Sequence, residues 1–350
     1  MLKFYHVGDV HLGAAPDAGQ PWSEERGKEI WESFRSLLER ADREGVDLLL
    51  LSGDLFHRQP LKRELRELNY LFASMKRTQV VFIAGNHDYL KQDSCYREFQ
   101  WNENVHFLSE PTCQRYVFPK LGVSVYGFSY HQRELEESLC DGLQPKKDGN
   151  FSILLAHGGD ARHIPMDFKK LEASGFDYIA LGHIHKPRVI AKNIAYGGAL
   201  EPIDRDDTGP HGFLSGHYDG RRLEIALVPW AKREYIPLKL TVEPETTDYQ
   251  VRAWVRDQII RLGNQNLYRI CLRGFRNPDT IFCTEAYKAL GCVVEAEDQT
   301  KPYYDLERLK IQHGDDLVGR YIRRFQESPM GETEKKALYW GLAALLEGGE

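Results

Sequence analysis

The chain has 350 residues, a length that at roughly 150 residues per domain predicts about two domains and a core that needs no disulfides. With 42% hydrophobic and 28% charged residues, the composition is that of a soluble globular protein, which excludes a largely disordered chain. A net charge of −6 argues against coating nucleic acid by bulk positive charge, while leaving room for an enzyme whose cations are local or are metal ions.

The first part alternates strand and helix. Lys3–Val7 is a short apolar run ending in Gly8-Asp9. Ser23–Glu44 reads as a helix, with Ile30, Trp31, Phe34, Leu37, Leu38 and Ala41 at 3.6-residue spacing and Ser23 as its N-cap. Val46–Leu51 is a continuous apolar strand of the kind buried on both faces, ending at Ser52-Gly53-Asp54. A charged helix from about Leu61 to Lys76 precedes the strand Val80–Ala84, which runs into Gly85-Asn86-His87-Asp88. Further strands are expected at Val105–Leu108, Arg115–Phe118, Val123–Phe128, Phe151–Ala156 and Tyr178–Leu181. After His185, short segments separated by Gly, Asp and Pro predict antiparallel strands from Arg188 to Val242. Layered α/β architecture with mixed sheets follows.

The polar stretch Glu243–Asp248 predicts a domain boundary. Beyond it a small α+β unit is expected: helix about Tyr249–Leu262, strand Tyr268–Arg273, helix about Thr280–Leu290, strand Val293–Ala296. Two amphipathic helices close the chain, one striped by Leu317, Val318, Tyr321, Ile322 and Phe325, the other by Leu338, Leu342, Leu345 and Leu346, with Ser328–Gly331 between them. No apolar run has the roughly 18 residues of a membrane span. The opening Met1–Asp9 lacks signal-peptide anatomy, and the six cysteines include no C-x-x-C pair. The expectation is a cytoplasmic protein with reduced thiols and no membrane contact.

The chemistry lies at the strand ends. Asp9 and His11 follow the first strand, Asp54 and His57 the second, and Asn86, His87 and Asp88 the third. His157 follows the strand at 151, and His183 and His185 the strand at 178. Open α/β sheets place ligands beyond the carboxyl ends of their strands, so these side chains converge on one crevice. Imidazole, carboxylate and amide oxygen without thiolate suit manganese, iron or zinc. Asp9, His11, Asp54, Asn86, His157, His183 and His185 are too many ligands for one tetrahedral ion and about right for two octahedral ions sharing a carboxylate. Such a pair is suited to phosphoester hydrolysis.

In this order D-x-H, G-D, G-N-H-D, a strand-end His and G-H-x-H resemble the signature of the calcineurin-like metallophosphoesterases. Ser52-Gly-Asp-Leu-Phe-His57 narrows the resemblance to the DNA double-strand-break repair nucleases of the SbcD type, and especially to the YhaO-type bacterial proteins. The protein serine/threonine phosphatases instead resemble G-D-x-x-D-R-G followed by G-N-H-E. The resemblance implies a four-layer α/β/β/α sandwich over residues 1–242, a small α+β cap at 243–304 that clamps DNA, and a C-terminal helix pair at 305–350. It implies two divalent ions, foremost manganese, with iron or zinc as alternatives. Asp9, His11, Asp54 and His185 would hold one; Asp54, Asn86, His157 and His183 the other. A hydroxide between the ions would attack phosphorus. His87 would contact the scissile phosphate and protonate or stabilise the leaving oxygen, His57 would position the phosphodiester, and Asp88 would orient His87.

The implied partners are DNA, an SbcC-like coiled-coil ATPase docked on the C-terminal helices, and a second copy of the chain. Arg58, Lys62, Arg63 and Arg66 after His57, Lys186 and Arg188 after His185, and Arg252, Arg256, Arg269, Arg273 and Arg276 are local cations near DNA in this reading. The first group reads equally as a solvated helix face, because Glu64 and Glu67 interleave with it. Tyr196–Pro202 is expected only to shape the rim. Two other functions fit the same motifs: a phosphodiesterase acting on a nucleotide or small molecule, and a non-catalytic scaffold for the ATPase.

Overall fold

A computed structural model describes residues 1–326 and 330–347. The chain divides into two units, Met1–Tyr235 and the part from Ile236 onward.

In the first unit, β1 (Leu2–Val7), α1 (Ser23–Arg43), β2 (Leu48–Ser52), α2 (Lys62–Ser74), β3 (Gln79–Ile83) and β4 (Val105–Phe107) follow in sequence. The strands β1 to β4 pair in parallel and in chain order. A second sheet then forms from β5 (Gln114–Phe118), β6 (Val123–Gly127), β7 (Phe151–His157), β8 (Tyr178–Gly182), β9 (Arg188–Ala191) and β10 (Ile194–Tyr196), with α3 (Phe168–Glu172) between β7 and β8. Its order is β5-β6-β7-β8-β10-β9, parallel in the middle and antiparallel at both edges. The hairpin β11 (Gly212–Tyr218) and β12 (Leu223–Pro229) returns antiparallel to β1, completing the first sheet as β12-β11-β1-β2-β3-β4.

Side-chain alternation along the strands builds the layers. In β2, Leu48 and Leu50 face the second sheet, joining Phe4, Val81 and Ile83 against Val125, Ile153, Leu155 and Ala180. Leu49 and Leu51 point the other way, onto Ile30, Phe34 and Leu37 of α1 and Phe72 of α2. The unbroken leucine run is therefore buried on both faces. On the outside of the second sheet, Leu154, Ala156, Ile179 and Leu181 are covered by Leu171, Phe176 and Ile164. This is a four-layer α/β/β/α arrangement whose last layer is thin, one short helix plus loops. Ser23 is the first helical residue of α1 rather than its cap: Trp22 holds that position, and the Ser23 hydroxyl donates to the Pro16 carbonyl.

The second unit has β13 (Tyr235–Val242), α4 (Asp248–Leu262), β14 (Leu267–Arg276), α5 (Thr284–Tyr287), β15 (Val293–Asp298) and β16 (Lys301–Pro302). Its sheet runs β13-β14-β15, with β16 on β14. Val251, Val255 and Ile259 of α4 pack on Tyr268, Ile270 and Leu272. Because β13 belongs to this sheet, the seam lies before that strand, and Glu243–Asp248 is a turn leading to the Thr247–Gln250 capping box of α4. The helix expected over 280–290 contracts to α5 and one 3-10 turn, since Thr280, Ile281 and Cys283 are weak helix formers.

Among the described residues, α6 (Leu306–His313), α7 (Leu317–Gln326) and α8 (Glu332–Glu347) follow. The first was not expected; Asp305 caps it by accepting from the Arg308 amide. Val318 and Ile322 of α7 bury against Leu338 and Leu342 of α8 and Tyr304. The two apolar stripes thus cover one another, while Trp340 stays 76% exposed. Of the expected separator Ser328–Gly331, residues 328 and 329 lie outside the described residues. Among the described residues no helix is long and apolar enough to cross a membrane.

Candidate metal centre

The parallel strands deliver the motif residues together. Asp9 and His11 leave β1, Asp54 and His57 leave β2, and Asn86, His87 and Asp88 leave β3. From the other sheet come His157, the last residue of β7, and His183 and His185 just past β8. The turns are tight enough to force unusual backbone. His11, Asp54 and His183 have φ of 52°, 48° and 94°, a conformation that costs energy outside glycine and clusters at functional sites. Gly53, at φ 95°, passes so close to His157 that a Cβ there would strike the imidazole.

Overlapping groups of donor atoms result, joined through Asp9, Asp54 and His157, and two sets within them matter most here. In the first, Asp9, His11 and His185 gather their ligand atoms within 4.8 Å of one another. His11 Nε2 lies 3.1 Å from His185 Nε2, and Asp9 accepts from the His183 amide at 2.9 Å. In the second, Asn86 Oδ1 is 2.9 Å from His157 Nε2 and 3.3 Å from His183 Nδ1. Asp54 stands between the groups: Oδ2 is 3.4 Å from His157 Nε2 and 3.9 Å from His11 Nε2, while Oδ1 accepts from the His87 amide at 2.8 Å. Asp9, His11, Asp54 and His157 are fully buried. His57 and His87 form the outer edge, with ring centroids 5.0 Å apart and each about 5 Å from His11.

Electrostatics test whether such a set fits a cation. Burial drives the His11 imidazole well below its usual pKa, with His185, His87 and His57 adding to the effect against Asp54. At His157 burial works in the same direction but is outweighed by Asp54 and Asp9, which push it up to about 9. Asp207 and Asp9 do the same for His185, also to about 9. Asp54 is buried, which would raise it, yet His157 and His11 hold it far below the carboxylate range. Without metal, protons on His157 and His185 supply the positive charge that the buried carboxylates require. Facing imidazole nitrogens 3.1 Å apart need a shared proton or a cation between them. The donor set fits divalent ions, which would displace those protons.

The ring nitrogens turned away from the centre are held. His157 Nδ1 donates to the Ser52 carbonyl at 2.9 Å, His183 Nε2 to Asp160 Oδ2 at 2.7 Å, and His185 Nδ1 to Asp207 Oδ2 at 3.0 Å. His87 Nδ1 donates to the His57 carbonyl at 3.0 Å. Asp160 and Asp207 were not singled out in the sequence. Asp160 follows the Gly158-Gly159 pair, a faint turn signal, and Asp207 had none.

The expectation that Asp88 orients His87 is corrected. Asp88 is fully buried; it accepts from the Gly85 amide at 2.8 Å, the Phe56 amide at 3.2 Å and the Tyr96 hydroxyl at 3.0 Å. Backbone alternation sends it inward while His87 faces the crevice. Asp88 therefore ties the loop after β3 to the loop after β2. Asp88→Ala strands three buried donors at roughly 1–3 kcal/mol each, so the first unit should lose about 3 kcal/mol or more of stability. Urea unfolding followed by tryptophan fluorescence measures this; an unchanged midpoint with lost turnover would return Asp88 to the chemistry.

Tyr196–Pro202 also does more than shape the rim. The Ala199 amide donates to the His185 carbonyl at 2.7 Å, and buried Glu201 accepts from Ser33, Arg26 and the Lys232 amide. Among the expected cations, Arg58 is neutralised by Glu64 at 2.7 Å, Arg252 by Asp248 and Arg269 by Glu295. Lys186 and Arg188 are exposed next to the His185 loop.

Over 238 residues the chain is 32% identical to the uncharacterized metallophosphoesterase YhaO of Bacillus subtilis strain 168, covering 62% of this chain and 57% of that protein. It is 29% identical over 234 residues to the DNA double-strand break repair protein Mre11 of Archaeoglobus fulgidus, covering 58% and 51%. For the protein of the same name in Methanocaldococcus jannaschii the figures are 29% over 248 residues, 64% and 65%. Each match thus spans less than two thirds of the relative's own length. Residues 2–187, more than half of the chain, match the calcineurin-like phosphoesterases, and the chain belongs to that family.

Proposed function

We propose that this chain is a metal-dependent DNA nuclease, a phosphodiester hydrolase working as the nuclease subunit of an SbcCD-like repair complex. The observation that carries the reading is the convergence of Asp9, His11, Asp54, Asn86, His157, His183 and His185 beneath a rim formed by His57 and His87. Asp9, His11, Asp54 and His185 would hold one cation and Asp54, Asn86, His157 and His183 the other, with manganese first and iron or zinc as alternatives. When bound, the ions supply Lewis acidity at the phosphate oxygens and a water that ionises near neutral pH. The protein's own groups do the rest. The His57 carbonyl fixes the proton on His87 Nδ1, so a proton given to the leaving oxygen resides on Nε2. His57, exposed at the rim, is placed to bear on a phosphate oxygen. The similarity to proteins named for double-strand break repair supports DNA as substrate.

Residues 1–242 would carry the chemistry, 243–304 would cap the DNA, and 305–350 would dock the coiled-coil ATPase. Because the α7 and α8 stripes cover each other, docking in this reading would use the side of α8 where Trp340 and Tyr339 adjoin Phe275 and Pro302. The setting is the cytoplasm, with a second copy of the chain as a further partner.

The test is purified, metal-stripped protein with an end-labelled DNA duplex. Adding Mn2+ should shorten the duplex, and chelation should stop it. No cleavage of DNA beside hydrolysis of a chromogenic phosphodiester would favour a small-molecule phosphodiesterase, unless addition of the ATPase restores cutting. Neither activity would leave the scaffold.

A further inference from the structure

We propose that Asp160 and Asp207 are positioning residues that decide which ring nitrogen His183 and His185 each turn to the centre, so that Gly182-His-Ile-His185 serves two different cations. The inference rests on the two-cation reading above and adds residues outside the ligand set. A carboxylate only accepts, so the nitrogen facing it carries the proton and the opposite nitrogen offers its lone pair. Asp160 Oδ2 lies 2.7 Å from His183 Nε2, which leaves Nδ1 bare, 3.3 Å from Asn86 Oδ1. Asp207 Oδ2 lies 3.0 Å from His185 Nδ1, which makes Nε2 the nitrogen turned to the centre, 3.1 Å from His11 Nε2, where a cation would displace the proton between them. Two histidines one residue apart thus present opposite nitrogens to opposite groups.

Both carboxylates are fixed before any ligand arrives. Asp160 Oδ1 accepts from the amides of Arg162 at 2.8 Å and His163 at 2.9 Å, and from His163 Nδ1 at 3.0 Å. Its loop closes on buried Ile164, held at φ 45°, a strained conformation for a β-branched residue. Gly159, at φ 122°, has no room for a Cβ beside the Tyr196 hydroxyl. Asp207 Oδ2 also accepts from the amides of Ile203 and Asp204, both at 3.0 Å. That loop is pinned upstream by the buried Glu201 network. Strain concentrated in a loop that holds one carboxylate between the His163 and His183 imidazoles is the mark of a positioning device.

The two sites differ in a way that a single type of substitution exposes. In Asp160→Asn the amide oxygen stays with the two backbone donors and the NH2 group faces His183 Nε2. The imidazole proton is then driven to Nδ1, the nitrogen needed by the cation. In Asp207→Asn the oxygen stays at Oδ2, where it still accepts from His185 and both amides.

The experiment is calorimetric titration of metal-stripped wild type, D160N, D207N and D207A with Mn2+ alone, with far-UV circular dichroism to confirm folding. Wild type should take up two ions. D160N should bind one of them ten- to a hundredfold more weakly, the range for lost outer partners. D207N should match wild type, and D207A should weaken the other ion. Equal affinities in D160N and wild type would overturn the proposal. So would three ions in wild type falling to two in D160N, because Asp160 would then be a ligand beside His163 and His183. A folded wild type that takes up no ion would sink the two-cation reading itself, and this inference with it.

Discussion

His87→Gln should leave the Mn2+ content of the protein unchanged and lower DNA hydrolysis by about 10²–10⁴-fold, the range for a lost general acid. The geometry separates the two effects. Only the main-chain amide of His87 touches Asp54, and the substitution keeps that amide. Its ring bonds outward, through Nδ1 to the His57 carbonyl, and among the described residues no carboxylate bonds to it. Removing the ring therefore opens no ligand bond. The loss should depend on the leaving group. A DNA sugar oxygen leaves as a strong base and needs a proton, whereas a nitrophenolate leaves without one. Comparing kcat on duplex DNA and on a bis-nitrophenyl phosphodiester, with metal content by mass spectrometry, tests this. An equal loss on both substrates would assign His87 to holding phosphate rather than to proton transfer.

How much of this centre is legible in the sequence depends on whether a residue's placement is local. Asp9, Asp54, Asn86 and His157 sit at strand ends, and a run such as Leu48–Leu51 announces a strand buried on both faces. Parallel strands then bring their ends together without further information. Asp160 and Asp207 are different. They reach His183 and His185 across 23 and 22 residues, from loops whose path is set by Ile164 and by the Glu201 network. Nothing in their neighbours on the chain predicts that path. Asp88 shows the converse error, because adjacency to His87 suggested contact while the backbone turns the two side chains apart. The boundary expected at Glu243–Asp248 rests on composition alone, and a polar turn between strand and helix carries the same composition as a linker.

Asp54→Asn should lose both cations together, weakening each by more than about a hundredfold, beyond the range seen when only an outer partner is removed. Substitution at Asp9 or at Asn86 should chiefly weaken one. The reason is position: Asp54 Oδ2 faces His157 Nε2 at 3.4 Å and His11 Nε2 at 3.9 Å, one nitrogen from each donor group. The fold should tolerate the change, since the asparagine oxygen can take the place of Oδ1 and still accept from the His87 amide. What it cannot supply is charge. Asp54 is the principal group holding His157 protonated against burial, and the same charge would hold the cations that displace that proton. Hydrolysis of DNA and of a chromogenic phosphodiester should therefore vanish together, in contrast to His87→Gln. Calorimetry with Mn2+ decides the matter: if D54N bound one ion at wild-type affinity, the carboxylate would serve a single position and the shared-ligand arrangement would be wrong.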